Sequence, residues 1–421
     1  MVSQMKIQRQ NYLNRLINKK GNGLIKVVTG IRRCGKSYLL FNLFHEHLLN
    51  EGVDEQHIIE IALDDRRNIE LRNPDNMLKY VDGLIKDRQM YYIILDEVQL
   101  LDEFEDVLNS FLHIRNADVY VTGSNSKFLS SDVITEFRGR GDEIRIYPLS
   151  FSEFMSVYDG TVDEGWDDYF NYGGLPLVLS CPTPEEKSEY LISQFKNVYI
   201  SDLIDRHRIN NKEEFDELLD ILASSIGSFT NPLKLVNTFK SVKGKVISDK
   251  TLKNYLDYLI DSFLISRAKR YDIKGKRYIN SPAKYYFEDI GLRNARLEFR
   301  QTEENHIMEN IIYNELRIRG FRVDVGLVEH YSKDKNNKSV KKQLEVDFVA
   351  TKGSRKYYIQ SAFAMSTPQK AEQENRSLLS IPDSFKKIIV VRDNIKVRRN
   401  EQGIITMGIC NFLLDENSLE L

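Results

Sequence analysis

The sequence predicts an α/β chain: a parallel-sheet region first, a helical middle, and a second α/β region at the C-terminus. Three observations carry this. An apolar strand over 24–29 runs into Gly30-Ile31-Arg32-Arg33-Cys34-Gly35-Lys36-Ser37 and then an apolar helix. The run YYIILDE, 91–97, is continuously apolar until two carboxylates end it. The stretch EVDFVATKGSRKYYIQSAFAMS, 345–366, reads as two strands turning at Gly353, with acidic residues on the first.

At 421 residues the chain exceeds what one hydrophobic core organises, so two to four domains are expected. A hydrophobic content of 41% with 29% charged residues is that of a globular protein, and a net charge of -2 leaves no whole-molecule field for nucleic acid. Any nucleic-acid surface must therefore be a local patch. Cys34, Cys181 and Cys410 lie far apart without zinc spacing, which fits a reducing, cytoplasmic setting. The first twenty residues read as an amphipathic helix without the apolar core of a signal peptide, and no apolar run approaches membrane-spanning length.

The first motif matches G-x-x-x-x-G-K-[ST] with a strand before it and a helix after it, the context that phosphate binding requires. Gly30 and Gly35 let backbone N–H groups turn inward around phosphate oxygens, where a side chain would collide. The helix that follows adds free N–H groups and its dipole. Lys36 reaches the β- and γ-phosphates and the Ser37 hydroxyl takes a place on Mg²⁺. Ile31, Arg32, Arg33, Cys34 and Tyr38 complete the nucleotide-contacting set, with Cys34 filling space in the loop.

The YYIILDE run suits a parallel strand covered on both faces, and α/β sheets bind ligands at the C-terminal edge of such strands. Asp96 would hold Mg²⁺ through water and Glu97 would orient or polarise the attacking water. A third strand, 118–125, ends in Gly123-Ser124-Asn125. Beside the Asp96 strand it would present Ser124 or Asn125 near the γ-phosphate, although the same residues also suit an ordinary turn. Arg138 and Arg140 are candidates to stabilise transition-state charge, in cis or from a neighbouring subunit, and equally fit surface positions on a loop.

Together these residues resemble a prokaryotic group of AAA+ ATPases. The shared motifs are Arg32-Arg33 in the loop, Asp96-Glu97, Thr122-Gly123-Ser124, Gly139-Arg140, Pro148-Leu149-Ser150-Phe151 and Gly173-Gly174-Leu175-Pro176. The resemblance implies an ATPase core over 1–157, a helical lid over 158–210, a winged-helix region over 211–300 and a restriction-endonuclease-like domain of unknown function (the one numbered 4143) over 301–421. It implies ATP and Mg²⁺ as ligands, with ATP hydrolysis driving conformational change in the later regions. It also implies a basic or aromatic residue before the loop near the adenine, for which Arg9 or Tyr12 is the guess. Oligomerisation with further copies of the chain is part of the expectation.

In the middle region, Ser248 is a plausible N-cap for a helix whose apolar positions Leu252, Tyr255, Leu256, Leu259, Ile260 and Phe263 define one face. Lysines 234, 240, 243, 245, 250 and 253 surround it, and Lys274-Gly275-Lys276 offers a wing. Duplex DNA contact and packing against the ATPase are both open readings.

At the C-terminus, a helix over 306–316 precedes a strand over 321–328, and 332–342 reads as a solvated loop. Glu309, Glu345 and Asp347 match the positions at which the resembled nuclease-like cores hold Mg²⁺. Those cores carry Glu-x-Lys on the next strand, a unit because i and i+2 face one side. Here that place holds Gln360-Ser361-Ala362, and Lys356 lies before the strand. The expectation is an architecture kept without nuclease chemistry. Small Ser361, Ala362 and Ala364 suit close packing or an unidentified protein partner. The alternatives are a nucleotide-switched DNA-binding regulator with slow turnover, or an ATP-dependent nuclease.

Overall fold

The structure is a computed structural model describing residues 6–123, 139–243, 247–301, 303–333, 339–363 and 368–421. The chain divides into two compact units: 1–148 with 261–263, and 149–260 with 264–421.

The first unit is built on five strands: β1 (Ile25–Thr29), β2 (Ile58–Ala62), β3 (Tyr91–Asp96), β4 (Ala117–Thr122) and β5 (Gly141–Arg145). They lie in the order β2-β3-β4-β1-β5 and every pairing is parallel. β1 and β3 are buried along their whole length, which explains their unbroken apolar sequence. A cluster including Val27, Ile61, Ile93, Val121, Phe104 and Phe111 covers one face of the sheet. Because β4 separates β1 from β3, the ends of three strands converge beside the loop that follows β1.

One buried charge interrupts this core. Lys26 of β1 bonds Asp118 of β4, and the Tyr120 hydroxyl donates to the same carboxylate at 2.8 Å. Neither charged side chain is exposed by more than 4%, so each satisfies the other in place of water.

In the second unit, the PLSFSEF stretch forms a short helix, Phe151–Met155, because Ser150 and Glu153 make a reciprocal capping box. Its Phe151 and Phe154 pack on Tyr169 of the helix Val162–Tyr172. Gly173 follows with φ 73, and a Cβ there would meet the Asp289 carboxylate at 2.4 Å. That carboxylate accepts from Gly174 N at 2.8 Å and caps the helix Ile290–Arg296 through Leu292 N at 3.1 Å. The glycine pair is therefore shaped by close approach to Asp289.

Helices Lys212–Ser224, Pro232–Lys243 and Asp249–Asp261 precede a hairpin, β6 (Ile265–Asp272) and β7 (Arg277–Phe287). Ser248 caps the third helix through Thr251 N at 3.1 Å, and Leu252, Tyr255, Leu256 and Leu259 are buried on its predicted face. The hairpin turns at the Lys274-Gly275-Lys276 stretch that offered a wing. Near its tip β6 pairs in parallel with β8 (Arg322–Lys333), Tyr271 opposite Gly326. The hairpin thereby joins an eight-stranded sheet with β9 (Ser339–Lys352), β10 (Arg355–Ala362), β11 (Lys386–Val391), β12 (Arg398–Arg399) and β13 (Ile405–Gly408). Backbone groups on one side of β6 are spent on that ladder. Residues 332–333 and 339–342, read as loop, are also strand: β8 and β9 form one long antiparallel ladder, Lys333 opposite Ser339. Mostly polar residues there leave no apolar alternation to reveal it.

Candidate functional site

The loop Gly30–Ser37 leaves β1 at the C-terminal edge of the sheet. Gly30 has φ 146, and a Cβ on it would lie 2.2 Å from the Ile146 carbonyl oxygen just past β5. Glycine is required here by the neighbouring strand as well as by the inward turn of the loop. Gly35, φ 101, opens the helical run that carries Lys36 and Ser37. Lys36 is buried, and its ammonium donates to the Gly30 and Ile31 carbonyls at 3.1 and 3.2 Å. Its charge thus sits within the loop. Cys34 is buried with Sγ 3.9 Å from the Ile146 oxygen and fills space, as expected.

Arg9 and Tyr12 brace this loop from beneath. The Arg9 guanidinium donates to the carbonyls of Cys34 and Tyr147, each at 2.7 Å, and lies 4.5 Å from the Tyr12 ring centroid. Both residues are buried. Arg9 thus reaches loop backbone and the chain leaving β5, while the Tyr12 hydroxyl accepts from Tyr147 N at 3.4 Å and its ring also faces the Arg15 guanidinium at 5.4 Å.

Asp96 ends β3 with its carboxylate buried and hydrogen-bonded by the hydroxyls of Ser37 and Thr122. Burial pushes its carboxyl above the usual range; those bonds oppose the rise, while the Glu97 and Asp64 charges add to it. Glu97 stands in the left-handed region at φ 51, and its N–H donates to Thr122 Oγ1 at 3.0 Å. The Gln99 amide donates to the Glu97 carboxylate. Thr122 is therefore the residue on the third strand that touches both acidic positions. Ser124 and Asn125, expected near the γ-phosphate, lie outside the described residues, as does Arg138.

Arg140 does not share this site within its own subunit. Its carbonyl accepts from Ile25 N at 2.9 Å, and Gly141 is paired with Ile25 at the opposite end of β1 from the loop. Four residues of strand separate the two ends, roughly 13 Å. Arg32, Arg33 and Tyr38 flank the loop, with Arg33 left-handed at φ 62 and exposed.

A cradle that a Cβ would fill, a lysine within it, and an exposed hydroxyl beside a buried carboxylate at its edge fit a nucleotide phosphate with a small hard cation. Ser37 and Asp96 are the residues that would hold the cation.

The C-terminal carboxylates converge in the second unit. Glu309, on the helix Glu304–Ile318, and Glu345 and Asp347, on β9, surround one cation, the Lys284 ammonium of β7. This lysine comes from the hairpin and was not found from the sequence. A lone lysine inside the buried strand AKYYF was the available signal, since a buried ammonium demands carboxylate partners. Its pKa is raised: burial works against the charge, but Glu309, Asp347 and Glu345 outweigh it. Asp347 is pushed well above the carboxylate range by burial and the Glu309 charge. Ala362 lies in the core beside this cluster, so its small size serves packing; Ala364 lies outside the described residues. Lys356 is directed elsewhere, 4.9 Å from the Phe385 ring.

Comparison with known proteins agrees with this architecture. A family model described as an AAA domain (AAA_14) matches residues 22–155, and one for a domain of unknown function (DUF8612) matches 163–303. The latter covers the regions expected to be lid and winged helix, upstream of the place assigned to a domain of unknown function from sequence. The chain is 32% identical to an uncharacterised protein of Haemophilus influenzae over 92% of its own length and 94% of the relative's. It is 28% identical to one of Methanocaldococcus jannaschii, covering 90% and 83% of the two chains. A Walker-type ATPase of Pyrococcus abyssi shares the fold at 15% identity and TM-score 0.50, over 69% of this chain and 96% of that one. With the loop, the Asp96–Glu97 pair and the strand order in agreement, the chain belongs to the AAA-domain P-loop ATPases.

Proposed function

We propose that the protein binds ATP with Mg²⁺ at the Gly30–Ser37 loop and hydrolyses it by in-line attack of water on the γ-phosphate. The cycle would drive conformational change in the lid, the winged-helix region and the C-terminal region. The observation that carries this reading is the run of contacts from Ser37 to Asp96, from Asp96 to Thr122 and from Thr122 to Glu97, all at one sheet edge. Lys36 and the loop N–H groups bind phosphate oxygens. Ser37 and Asp96 hold the cation, which would offset charge on the phosphates. Glu97 orients the attacking water. Arg140, being remote from its own loop, would serve a neighbouring subunit, which makes a homo-oligomer the working form. The test is Lys36→Ala: ATP binding and hydrolysis are lost, and a variant that turns ATP over like the parent overturns the reading.

A second reading, a nucleotide-switched DNA-binding regulator, draws on two observations. The Gln99 amide engages the Glu97 carboxylate, which would restrain it from activating water and slow turnover. Lys240, Lys250 and Lys253 are exposed on the middle helices, where phosphate contacts would weaken with salt. Duplex DNA binding at low salt, lost in a Lys250→Glu/Lys253→Glu chain and altered by nucleotide, would support it. No binding at low salt would remove it.

A further inference from the structure

The acidic cluster of the C-terminal sheet has its own cation. Glu345 and Asp347 are two apart on β9 and face the same side, while Glu309 descends from the helix Glu304–Ile318. Three carboxylates meeting at one point, two of them almost fully buried, repel one another unless a positive charge lies among them. The Lys284 ammonium lies there, 2.6 Å from Glu309 Oε1, 2.5 Å from Glu345 Oε1 and 4.0 Å from Asp347 Oδ1.

We infer that Lys284 occupies the position a divalent cation would take between these carboxylates, and that removing its side chain opens a divalent-cation site. Several features favour a stand-in over a lysine acting beside a metal. The ammonium is among the carboxylates themselves: its distances to Glu309 and Glu345 are close to oxygen–Ca²⁺ bonds and about half an ångström longer than oxygen–Mg²⁺ bonds, while Asp347 stands farther off at 4.0 Å. Other groups hold two of the carboxylates in place: Tyr286, two residues along β7, donates to Glu309 Oε1 at 2.6 Å, the His306 ring lies 3.6 Å from Glu309 Oε2, and Ser361 N donates to Asp347 Oδ2 at 2.8 Å. Among the described residues no group of three His, Cys, Asp or Glu side chains is spaced to hold a metal ion, so Asp347 would have to draw in once the ammonium is gone. The Glu345 side chain is 34% exposed, so ions from solution can reach the cluster once the ammonium is gone. Lys284 also gives the hairpin a second tie to the C-terminal sheet, beyond the β6–β8 ladder.

The experiment is Mn²⁺ titration of the nucleotide-free full chain, followed by the electron paramagnetic resonance of free Mn²⁺. The parent is expected to take up no millimolar-range Mn²⁺ that Asp347→Asn abolishes. Lys284→Met is expected to bind one additional Mn²⁺ per chain, and Lys284→Met/Asp347→Asn to lose it. Mn²⁺ should also raise the melting temperature of Lys284→Met while leaving the parent unmoved. A Lys284→Met chain recovered in soluble form only with Mn²⁺ supports the inference, and Lys284→Gln provides a milder version of the same test. Asp347-dependent Mn²⁺ binding by the parent overturns it, as does a folded Lys284 variant that binds none.

Discussion

Thr122 and Asp96 share a buried hydrogen bond between the neighbouring strands β4 and β3, and the same hydroxyl accepts the Glu97 N–H at 3.0 Å. One side chain thus orients the proposed cation ligand and fixes the backbone from which the proposed base projects. Thr122→Val keeps the shape and removes both bonds. It should lower kcat about 10- to 100-fold, the usual cost of losing a group that orients a metal ligand. Thr122→Ser should restore most of the rate. Steady-state phosphate release, with circular dichroism to confirm folding, checks both variants.

Arg9 ties the Cys34 carbonyl to the Tyr147 carbonyl. Arg9→Met should weaken ATP binding about tenfold, as expected for losing charged hydrogen bonds worth about 1.5 kcal/mol. Arg9→Lys should not rescue it, because one ammonium lacks the planar fork that spans two acceptors. Isothermal titration with a non-hydrolysable nucleotide gives the dissociation constants.

The Lys26–Asp118 pair is buried in the middle of the ATPase sheet. Lys26→Met should destabilise the first unit by about 3–5 kcal/mol by leaving a carboxylate without its partner. In Lys26→Met/Asp118→Asn the charge is gone while an acceptor for Tyr120 remains. Its urea midpoint should recover at least half of the loss.

Asp289 introduces a pH dependence. Burial pushes its carboxyl from 3.8 up to about 6, against hydrogen bonds from Gly174, Leu292 and Gly291. The folded chain therefore holds this proton more tightly than the unfolded chain does, and stability falls as pH rises from about 4 to about 6. The full effect is roughly 3 kcal/mol, from a shift of about two pH units. The melting temperature of the parent relative to Asp289→Asn should decline across this window and level off above it.

The loop was legible because phosphate binding constrains residue type and spacing at once: Gly30, Gly35, Lys36 and Ser37 are needed within one turn of chain. β3 was legible because burial on both faces demands an unbroken apolar run. Thr122 was visible only as part of a motif, since which of Thr122, Ser124 and Asn125 meets Asp96 depends on the stagger of two strands. The pairing of the hairpin with β8 was hidden for a similar reason. Nothing in residues 265–287 states that β8, some fifty residues on, will take one edge of the hairpin.

By itself, the sequence determined the phosphate-binding chemistry, the placement of Asp96 and Glu97 at a strand end, and the helix capped by Ser248, all local properties of contiguous residues. Only the tertiary structure decided that Arg140 stands at the far end of its sheet, that Arg9 supports the loop, and that Lys284 lies among Glu309, Glu345 and Asp347. Those are pairings across tens of residues, set by strand order and register, and a buried charge finds its partner only once the sheet has formed.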